Sequence, residues 1–389
     1  MRKIVIASDS FKGCLSSLEV AEAASKGIRK VLPECTLIKL GIADGGEGTA
    51  EAMAGAMGAI CSEVMVSDPL GRSITAYFYK SGKTAIIEMS AASGLPLLKT
   101  EERNPMKTST FGTGELILAA MNQGCTRFII GIGGSATNDG GTGMLEALGV
   151  RFIDHNGHIL KGMCGGKLAD ISRIDSKEIP EGIKEAEFII ACDVDTPFCG
   201  KEGATRIFSP QKGADPDMVE KLEEGMAAFA EVIRTESGLD ISSTPGTGAA
   251  GGLGGAFMAF LNARLTKGTD LIFDALDFDR KISGADLIIT GEGRIDSQTW
   301  KGKAIDGVAM RAMKQGIPVI AIAGAVEEED ADHLIRKSGL TAVLPIAKRP
   351  ENESDLEYAM RPEVASNAIE NTVAKAMGSL FPSECLLTL

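Results

Sequence analysis

Apolar strand segments alternate with helical segments at both ends of the sequence, and this alternation restricts the fold more than any other feature. KIVIAS (residues 3–8) precedes a helix that begins with a capping box at Ser16 and Glu19, and a second strand follows at residues 36–42. The alternation returns near the C-terminus in the segments DLIIT, PVIAIAG and AVLPIA. Repeated strand–helix units predict a doubly wound α/β fold with a parallel sheet.

The middle of the chain has a different pattern. Residues 63–90 contain three segments of period-two alternation separated by turn signals, which predicts an antiparallel meander, and another hairpin is predicted at residues 150–160. The N-terminal pair of strand–helix units is too small to form a stable sheet alone. We therefore predict two domains: a composite parallel-sheet domain from residues 1–69 and 266–389, and an inserted α/β domain with antiparallel hairpins from residues 70–265.

Charge and composition argue against several classes of function. The formal net charge of −13 disfavours a nucleic-acid or anionic-membrane partner. The longest apolar run, residues 317–326, is shorter than the roughly 20 residues that span a bilayer, and the apolar N-terminal segment is too short for a signal peptide. The eight cysteines are scattered without a CxxC pair, which is typical of reduced thiols in a cytoplasmic protein.

Histidine is scarce, which limits the choice of catalytic groups. Of the three histidines, His155 and His158 flank the hairpin-turn signal Asn156-Gly157, and His333 lies in an acidic helical stretch. These positions give poor support to a catalytic triad or a histidine-rich metal site. Any general base is therefore expected to be a carboxylate.

Glycine is concentrated where the predicted strands end. Six glycines fall within residues 131–143, in the stretch GIGGSATNDGGTG, and the motifs SDSFKG, ADGGEGT and TGEGRIDS also follow apolar segments. Ligands of open parallel sheets bind at the carboxyl ends of the strands, where helix N-termini favour anions and glycine lets the backbone approach closely. The expected ligand is a phosphate group or a nucleotide that carries several.

The predicted loops also carry carboxylates beside a few basic groups, a combination that suits Mg²⁺ bound together with phosphates. The acids are Asp9, Asp44, Glu47, Asp139, Asp193, Glu292 and Asp296, and the bases are Lys12, Lys212 and Arg294. Turn or helix-cap chemistry is the alternative explanation for any single one of these acids.

A formal GxGxxG match at Gly246, Gly248 and Gly251 has two explanations. It is a weak dinucleotide-binding signal because no convincing strand precedes it. A glycine-rich loop that opens a helix at residues 250–263 is a plausible explanation, and close helix packing through small residues explains the match about equally well. A GxxxxGK[ST] phosphate-binding loop does not occur in the sequence.

Seven motifs fall between residues 8 and 303, within a resemblance that runs from about residue 3 to residue 377, and they are SDSFKG, ADGGEGT, GIGGSATNDGGTGML, CDVDTPFCGKEGA, FSPQKGA, PGTGAAGGLGGAF and GEGRIDSQTWKGK. In this order they resemble the bacterial glycerate kinase family, type 1. Two departures are visible: Ser8 stands where the family usually has proline, and FSPQKGA replaces a commoner aromatic-Gly-Pro form. The resemblance implies a flavodoxin-like composite domain and ATP-dependent phosphorylation of glycerate, with ADP as a product. The favoured second product is 2-phosphoglycerate, with 3-phosphoglycerate as the alternative.

Under this resemblance the candidate residues receive expected roles. Asp193, in the loop after the apolar run EFIIA, is the favoured catalytic base, with Asp296 as its competitor and Lys12 as a second cation. Arg294 is expected to bind the substrate carboxylate through its planar guanidinium group. The other expected substrate contacts are Asp9, Ser10, Asp44 and Glu47; the expected nucleotide-phosphate contacts are Gly133, Gly134, Ser135, Asn138, Asp139, Gly140 and Lys212; and the expected metal ligands are Glu292 and Asp193.

Two other functions are alternatives at this stage. A non-catalytic nucleotide or metabolite sensor on the same fold would bind without turnover and would tolerate loss of the acids, all of which are present. A dehydrogenase that used residues 246–251 would lack both the context of a dinucleotide fingerprint and a credible histidine acid. The sequence leaves open the phosphorylated hydroxyl, the substrate enantiomer, the association of identical subunits and which acid binds metal.

Overall fold

A computed structural model describes residues 2–11, 13–42, 49–295, 304–326, 332, 335–337, 339–347 and 357–382 of the 389-residue chain. The strands in these ranges are β1 (Lys3–Ser8), β2 (Thr36–Gly41), β3 (Ile60–Ser67), β4 (Ser73–Ser81), β5 (Thr84–Glu88), β6 (Arg127–Gly131), β7 (Arg151–Ile153), β8 (Ile159–Leu160), β9 (Arg173–Asp175), β10 (Glu187–Ala191), β11 (Arg264–Thr266), β12 (Leu287–Ile295), β13 (Val319–Val326) and β14 (Ala342–Pro345). The principal helices are α1 (Ser17–Arg29), α2 (Thr49–Met57), α3 (Ser90–Ser93), α4 (Phe111–Asn122), α5 (Thr142–Ala147), α6 (Glu181–Lys184), α7 (Ala204–Phe208), α8 (Pro216–Ser237), α9 (Ala249–Leu261), α10 (Gly268–Ala275), α11 (Phe278–Ile282), α12 (Ala304–Lys314) and α13 (Pro362–Leu380).

Five parallel strands form the first sheet, in the order β14-β13-β12-β1-β2. β1 pairs with β2 on one side and with β12 on the other, so strands from the two ends of the chain meet inside this sheet. Neither end of the chain supplies enough strands for the sheet by itself. The predicted parallel sheet built from both ends of the chain is confirmed.

The core beside this sheet explains the helical periodicity at the N-terminus. Ile4 and Ile6 of β1 belong to one buried cluster with Val20, Ala24 and Ile28 of α1 and with residues of α13. The predicted capping box at the start of α1 is present. α12 also packs against β1, β12 and β13, and its buried residues are not part of that cluster, so it covers the opposite face. Helices on both faces make the sheet doubly wound.

The contact between α1 and α13 requires glycine at position 27. A Cβ there would overlap the backbone carbonyl oxygen of Glu370 and lie 3.1 Å from Val373 Cβ. We expect Gly27→Ala to lower the free energy of unfolding by roughly 1–3 kcal/mol, the usual cost of overpacking. Gly378 of α13 has open space around it, so Gly378→Ala should instead raise this energy by about 0.5–1 kcal/mol. Urea unfolding midpoints measure both changes, and shifts of the same sign would contradict this account.

The central part of the chain forms a mixed six-stranded sheet in the order β11-β10-β6-β5-β4-β3. β3, β4 and β5 form the predicted antiparallel meander, while β5, β6, β10 and β11 run parallel to one another. The predicted hairpin after residue 150 is β7–β8, which belongs to a separate antiparallel sheet in the order β8-β7-β9. Both antiparallel predictions are confirmed.

Two details of chain organisation differ from the sequence prediction. The chain divides into two compact units, Met1–Asp44 with Thr269–Leu389, and Gly45–Gly268. The predicted first boundary after residue 69 would separate β3 from β4, yet these strands pair along their whole length. β12 also continues beyond the predicted end at residue 290 and pairs with β13 as far as Ile295. Glu292 and Arg294 therefore lie in a strand and not in a loop.

None of the helices in the described part of the chain combines the length and the apolar composition that spanning a membrane requires.

Candidate active site

The loop after β6 presents three consecutive backbone amides at its tip. Gly133 is half-buried, and Gly134 is exposed with a left-handed φ of 71°. The Gly134 carbonyl is fixed because it accepts a hydrogen bond from Leu95 N at 2.8 Å. Among the described residues, no acceptor is hydrogen-bonded to the amides of Gly133, Gly134 or Ser135. Consecutive amides around a left-handed residue form a concave site for anions, and we call these three residues the amide tip.

A carboxylate lies beside the strand that leads to the amide tip. β5 ends at Glu88 and β6 ends at Gly131, and these two residues are in register. A Cβ on residue 131 would lie 2.5 Å from Glu88 Oε2, so the carboxylate covers this glycine. Glu88 Oε1 accepts from Ala50 N at 2.8 Å, at the start of α2. Glu88 is a candidate site residue that was missed from the sequence, where the available signal was an acid at the end of an apolar strand.

The backbone amides at the N-terminus of α5 donate hydrogen bonds to a buried carboxylate of the protein, that of Asp139. Asp139 Oδ2 accepts from the amide and the hydroxyl of Thr110, each at 2.8 Å, and from Gly143 N at 3.2 Å. Asp139 Oδ1 accepts from Gly141 N at 3.1 Å. Burial raises the pKa of the Asp139 carboxyl, and the same hydrogen bonds oppose that rise. Asp139 therefore anchors the helix from inside, and its burial argues against the expected direct contact with a phosphate.

Asn138 and Gly140 lie in the same buried layer. Asn138 Nδ2 donates to Thr205 Oγ1 at 3.1 Å, and Gly140 N donates to the carbonyl of Gly251 at 2.9 Å. A Cβ on Gly251 would overlap the carbonyl oxygen of Thr137. Gly251 thus packs against the loop after β6, and Gly248 packs against the Pro197 carbonyl after β10, which favours the packing explanation of that motif. Asn138 and Gly140 are therefore buried residues that pack against other parts of the protein.

Lys212 is a charged side chain beneath this loop. It ends the short 3₁₀ turn Pro210–Lys212 and is 1% exposed. Its Nζ donates to Ser135 Oγ at 2.8 Å and to the Thr137 carbonyl at 2.6 Å. Burial lowers the pKa of the ammonium group to about 7, and the field of Asp139 acts in the opposite direction. The ammonium group contacts the loop itself and is shielded from solvent.

Asp193 follows β10, the strand that lies between β6 and β11 in the second sheet. Its side chain is exposed, and Oδ1 accepts from Gly268 N at 3.0 Å, where α10 begins. Because β5, β6 and β10 are parallel neighbours, Glu88, the amide tip and Asp193 lie at the same edge of this sheet. Unsatisfied amides and two carboxylates at one edge can bind a phosphate and accept a proton.

A second set of expected residues lies at the carboxyl edge of the first sheet. Asp9 directly follows β1, Glu292 lies in the adjacent β12, and each is 4% exposed. Asp9 N donates to the Gly291 carbonyl at 2.9 Å, and Ser10 N donates to Asp9 Oδ1 at 2.6 Å. Arg294 is exposed further along β12. Buried carboxylates on neighbouring strands are the kind of oxygen ligands that hard cations prefer.

Comparison with known proteins identifies the family. The family model described as "Glycerate kinase family" matches residues 4–380. The chain belongs to the glycerate kinase family. Similar proteins include the glycerate kinase of Bacillus subtilis (strain 168), which is 45% identical over 346 residues covering 88% of this chain and 90% of the relative. The glycerate 2-kinase of Escherichia coli (strain K12) is 46% identical over 346 residues, again 88% of this chain and 90% of the relative.

A solved structure extends the likeness to the whole fold. The crystal structure of a putative glycerate kinase 2 from Salmonella typhimurium LT2 matches with a TM-score of 0.88 at 42% identity. The match covers 98% of this chain and 99% of that chain. The α/β fold described above is therefore the fold of a glycerate kinase family member.

In this glycerate kinase family member, some of the expected site residues lie at the candidate site, some are buried and some lie outside the described residues. Of the expected phosphate contacts, Gly133, Gly134 and Ser135 form the amide tip, in which Gly134 is exposed and Ser135 is buried, and the other four are buried. Four expected residues lie outside the described residues, and they are Lys12, Asp44, Glu47 and Asp296. Their roles stay predictions.

Proposed function

We propose that this protein is a type 1 glycerate kinase that transfers the γ-phosphoryl group of ATP to a hydroxyl group of glycerate and releases ADP. The observation that carries the proposal is the amide tip, where three consecutive amides have no acceptor among the described residues. Phosphoryl transfer needs mainly positioning and neutralisation of charge, which amides, carboxylates and cations supply without histidine. The name of the E. coli relative, glycerate 2-kinase, favours 2-phosphoglycerate as the product over 3-phosphoglycerate.

The proposed roles combine the geometry of the described residues with the sequence resemblance. The tip amides donate to phosphate oxygens of ATP and hold the γ-phosphorus in place. Asp193, with Asp296 as the competing candidate, accepts the proton of the glycerate hydroxyl as its oxygen bonds to phosphorus and the bond from phosphorus to ADP breaks. Arg294 and Lys12 bind the glycerate carboxylate. The remaining proposed substrate contacts are Asp9, Ser10, Asp44 and Glu47.

Mg²⁺ is the proposed metal cofactor, with Glu292 and Asp193 as candidate ligands. Mg²⁺ keeps several waters and is usually bound through one or two carboxylates together with substrate phosphates. The part of the chain that the structure describes contains no group of three or more His, Cys, Asp or Glu side chains arranged to hold a metal ion. This fits a cation that binds together with the nucleotide. When bound, Mg²⁺ neutralises charge on the transferred phosphoryl group.

A coupled assay for ADP tests the proposed reaction directly. We expect ADP release that requires glycerate and Mg²⁺ together, and NMR of the product should show the phosphoryl group on the 2-oxygen. D- and L-glycerate are assayed separately, because the two enantiomers place their hydroxyl groups differently against the same carboxylate contact. ATP binding without glycerate-dependent ADP release would refute the kinase and identify a sensor on the same fold.

We also place the protein in the cytoplasm, with glycerate as its small-molecule partner. The described cysteines are free thiols, as in a reducing compartment, and they are Cys14, Cys35, Cys61, Cys125, Cys164, Cys192 and Cys199. The net charge of −13 disfavours nucleic acid and anionic membrane surfaces as partners. Light scattering coupled to size-exclusion chromatography tests association of identical subunits.

A further inference from the structure

We propose that Lys212 is a positioning residue for the amide tip, which it holds from beneath through Ser135 and Thr137. This inference rests on the proposed nucleotide binding of the tip. It differs from the sequence expectation, in which Lys212 contacts a phosphate itself. The side chain is 1% exposed and its ammonium group is already occupied by the loop.

The hydrogen bonds of Lys212 join the last residue of the tip to a residue two positions further along the chain. Ser135 comes directly after Gly134, and the Thr137 carbonyl lies two residues further along the chain. Between them, Ala136 N donates to the Ser93 carbonyl at 2.9 Å, and the Ala136 carbonyl accepts from Thr108 Oγ1 at 2.9 Å. Residues 135–137 are therefore held by the Ser93 carbonyl and the Thr108 hydroxyl, which bond Ala136, and by the ammonium group of Lys212. Removing that group leaves the direction of the Ser135 amide less well fixed.

The chemistry of the buried layer indicates that the ammonium group has a function beyond filling space. Burying a cation is costly, and an apolar side chain of the same length would fill the volume without that cost. Three oxygens nearby in the sequence, Thr137 Oγ1, Asn138 Oδ1 and Ser209 Oγ, are buried and have no hydrogen-bond partner among the described residues. A donor that can reach Ser135 and Thr137 together fixes their orientation. Its positive charge lies under amides that are proposed to face an anion.

Two substitutions separate positioning from space filling. Lys212→Met keeps most of the stem and removes the ammonium group, whereas Lys212→Arg keeps the charge and the donors. We expect Lys212→Met to weaken ATP binding by roughly tenfold or more, the worth of one or two hydrogen bonds to a charged group. Lys212→Arg should recover most of this loss. The KM for glycerate and kcat should change much less than the KM for ATP.

A double-mutant cycle with Ser135→Ala separates positioning from direct phosphate contact. If Lys212 acts through Ser135, Lys212→Met combined with Ser135→Ala should weaken ATP binding by clearly less than the product of the two single effects. If Lys212 contacts a phosphate directly, the two effects should multiply. Calorimetric titration with ATP measures each affinity without requiring turnover.

Stability and activity are followed separately in these variants. Leu222→Ala is the control, because Leu222 is fully buried in α8 and its loss lowers stability without removing a contact to the tip. A folded Lys212→Met protein with wild-type affinity for ATP would overturn the proposal, and so would an equal loss in Lys212→Arg. The proposed kinase activity fails in a different way, through absence of glycerate-dependent ADP release by the wild-type protein.

A pH profile keeps the proposal testable if Lys212→Met does not fold. Among the described residues, Asp139 is the charged group whose field acts on Lys212. With its pKa lowered to about 7, the lysine loses its charge as the pH rises through neutrality, and its hydrogen bonds to Ser135 and Thr137 weaken. The wild-type affinity for ATP should therefore fall over this range, while Lys212→Arg should show a flatter profile because arginine stays charged. Identical profiles for the two proteins would overturn the proposal.

Discussion

Replacing Asp193 with asparagine is expected to lower kcat by roughly 10²- to 10⁴-fold, the usual contribution of a positioned proton acceptor, while ATP still binds. Asparagine has the same size, and its oxygen can still accept the hydrogen bond from Gly268 N, so the loop after β10 keeps its shape. The amide cannot take the proton of the glycerate hydroxyl. The rate of ADP release at saturating ATP and glycerate measures the loss.

A magnesium titration of the same variant separates the two roles proposed for Asp193. If the residue is the base, excess Mg²⁺ leaves the rate low; if it is a metal ligand, excess Mg²⁺ partly restores the rate. Asp195→Asn is the matched control, because Asp195 is also exposed and lies two residues further along the same loop. Near-normal turnover of Asp193→Asn at low Mg²⁺ would exclude both roles for Asp193. Asp296 would then be the candidate base.

The composite sheet could be predicted from the sequence because its evidence is local. Each apolar strand and each amphipathic helix is visible in a short window, and too few strands at the N-terminus require partners from elsewhere. The first domain boundary was placed wrongly although the signal was present. Asp68 Oδ1 accepts from the amides of Leu70 and Arg72 and closes the turn between β3 and β4. A turn signal at residues 69–71 therefore joins two paired strands, and a boundary there divides a hairpin.

The reason for each glycine could not be predicted from the sequence. Gly291 reads as part of a ligand loop, but in the structure a Cβ there would lie 2.6 Å from the Ile322 carbonyl oxygen of the neighbouring strand. Gly251 likewise makes room for the backbone of Thr137. The sequence does not distinguish a glycine that makes room for a neighbouring backbone from one that makes room for a phosphate. The difference depends on packing between residues that are far apart in the sequence.

The same ambiguity applies to the acids of the candidate site. Asp139 stands in the densest glycine cluster, yet it is buried and accepts four hydrogen bonds from the protein. Glu88 ends an apolar strand with no glycine beside it in the sequence, yet parallel pairing brings it to Gly131. Strand register therefore determines which acid lies at the edge of the sheet, and register depends on contacts between residues that are far apart in the sequence.

Replacing Gly134 with valine is expected to abolish measurable ATP binding while the fold is retained. Gly134 has a φ of 71°, and a left-handed conformation costs an L-residue roughly 1–2 kcal/mol, more when the side chain is β-branched. The strain is relieved when the peptide rotates, which turns the amides of Gly134 and Ser135 away from the phosphate. Loss of two hydrogen bonds to a charged group weakens binding by roughly 100-fold or more. Calorimetric titration with ATP measures the change.

Gly157→Val is the matched control for the backbone strain of that variant. Gly157 has a φ of 84° in the exposed turn between β7 and β8, and no atom lies within 4 Å of a Cβ built there. It carries the same conformational cost, so Gly157→Val should lower the unfolding midpoint by a similar amount and leave ATP affinity unchanged. If both variants kept wild-type affinity, the amide tip would not be the phosphate site. Loss of ATP binding in Gly134→Val alone would show that the left-handed residue matters because it directs two amides toward the nucleotide.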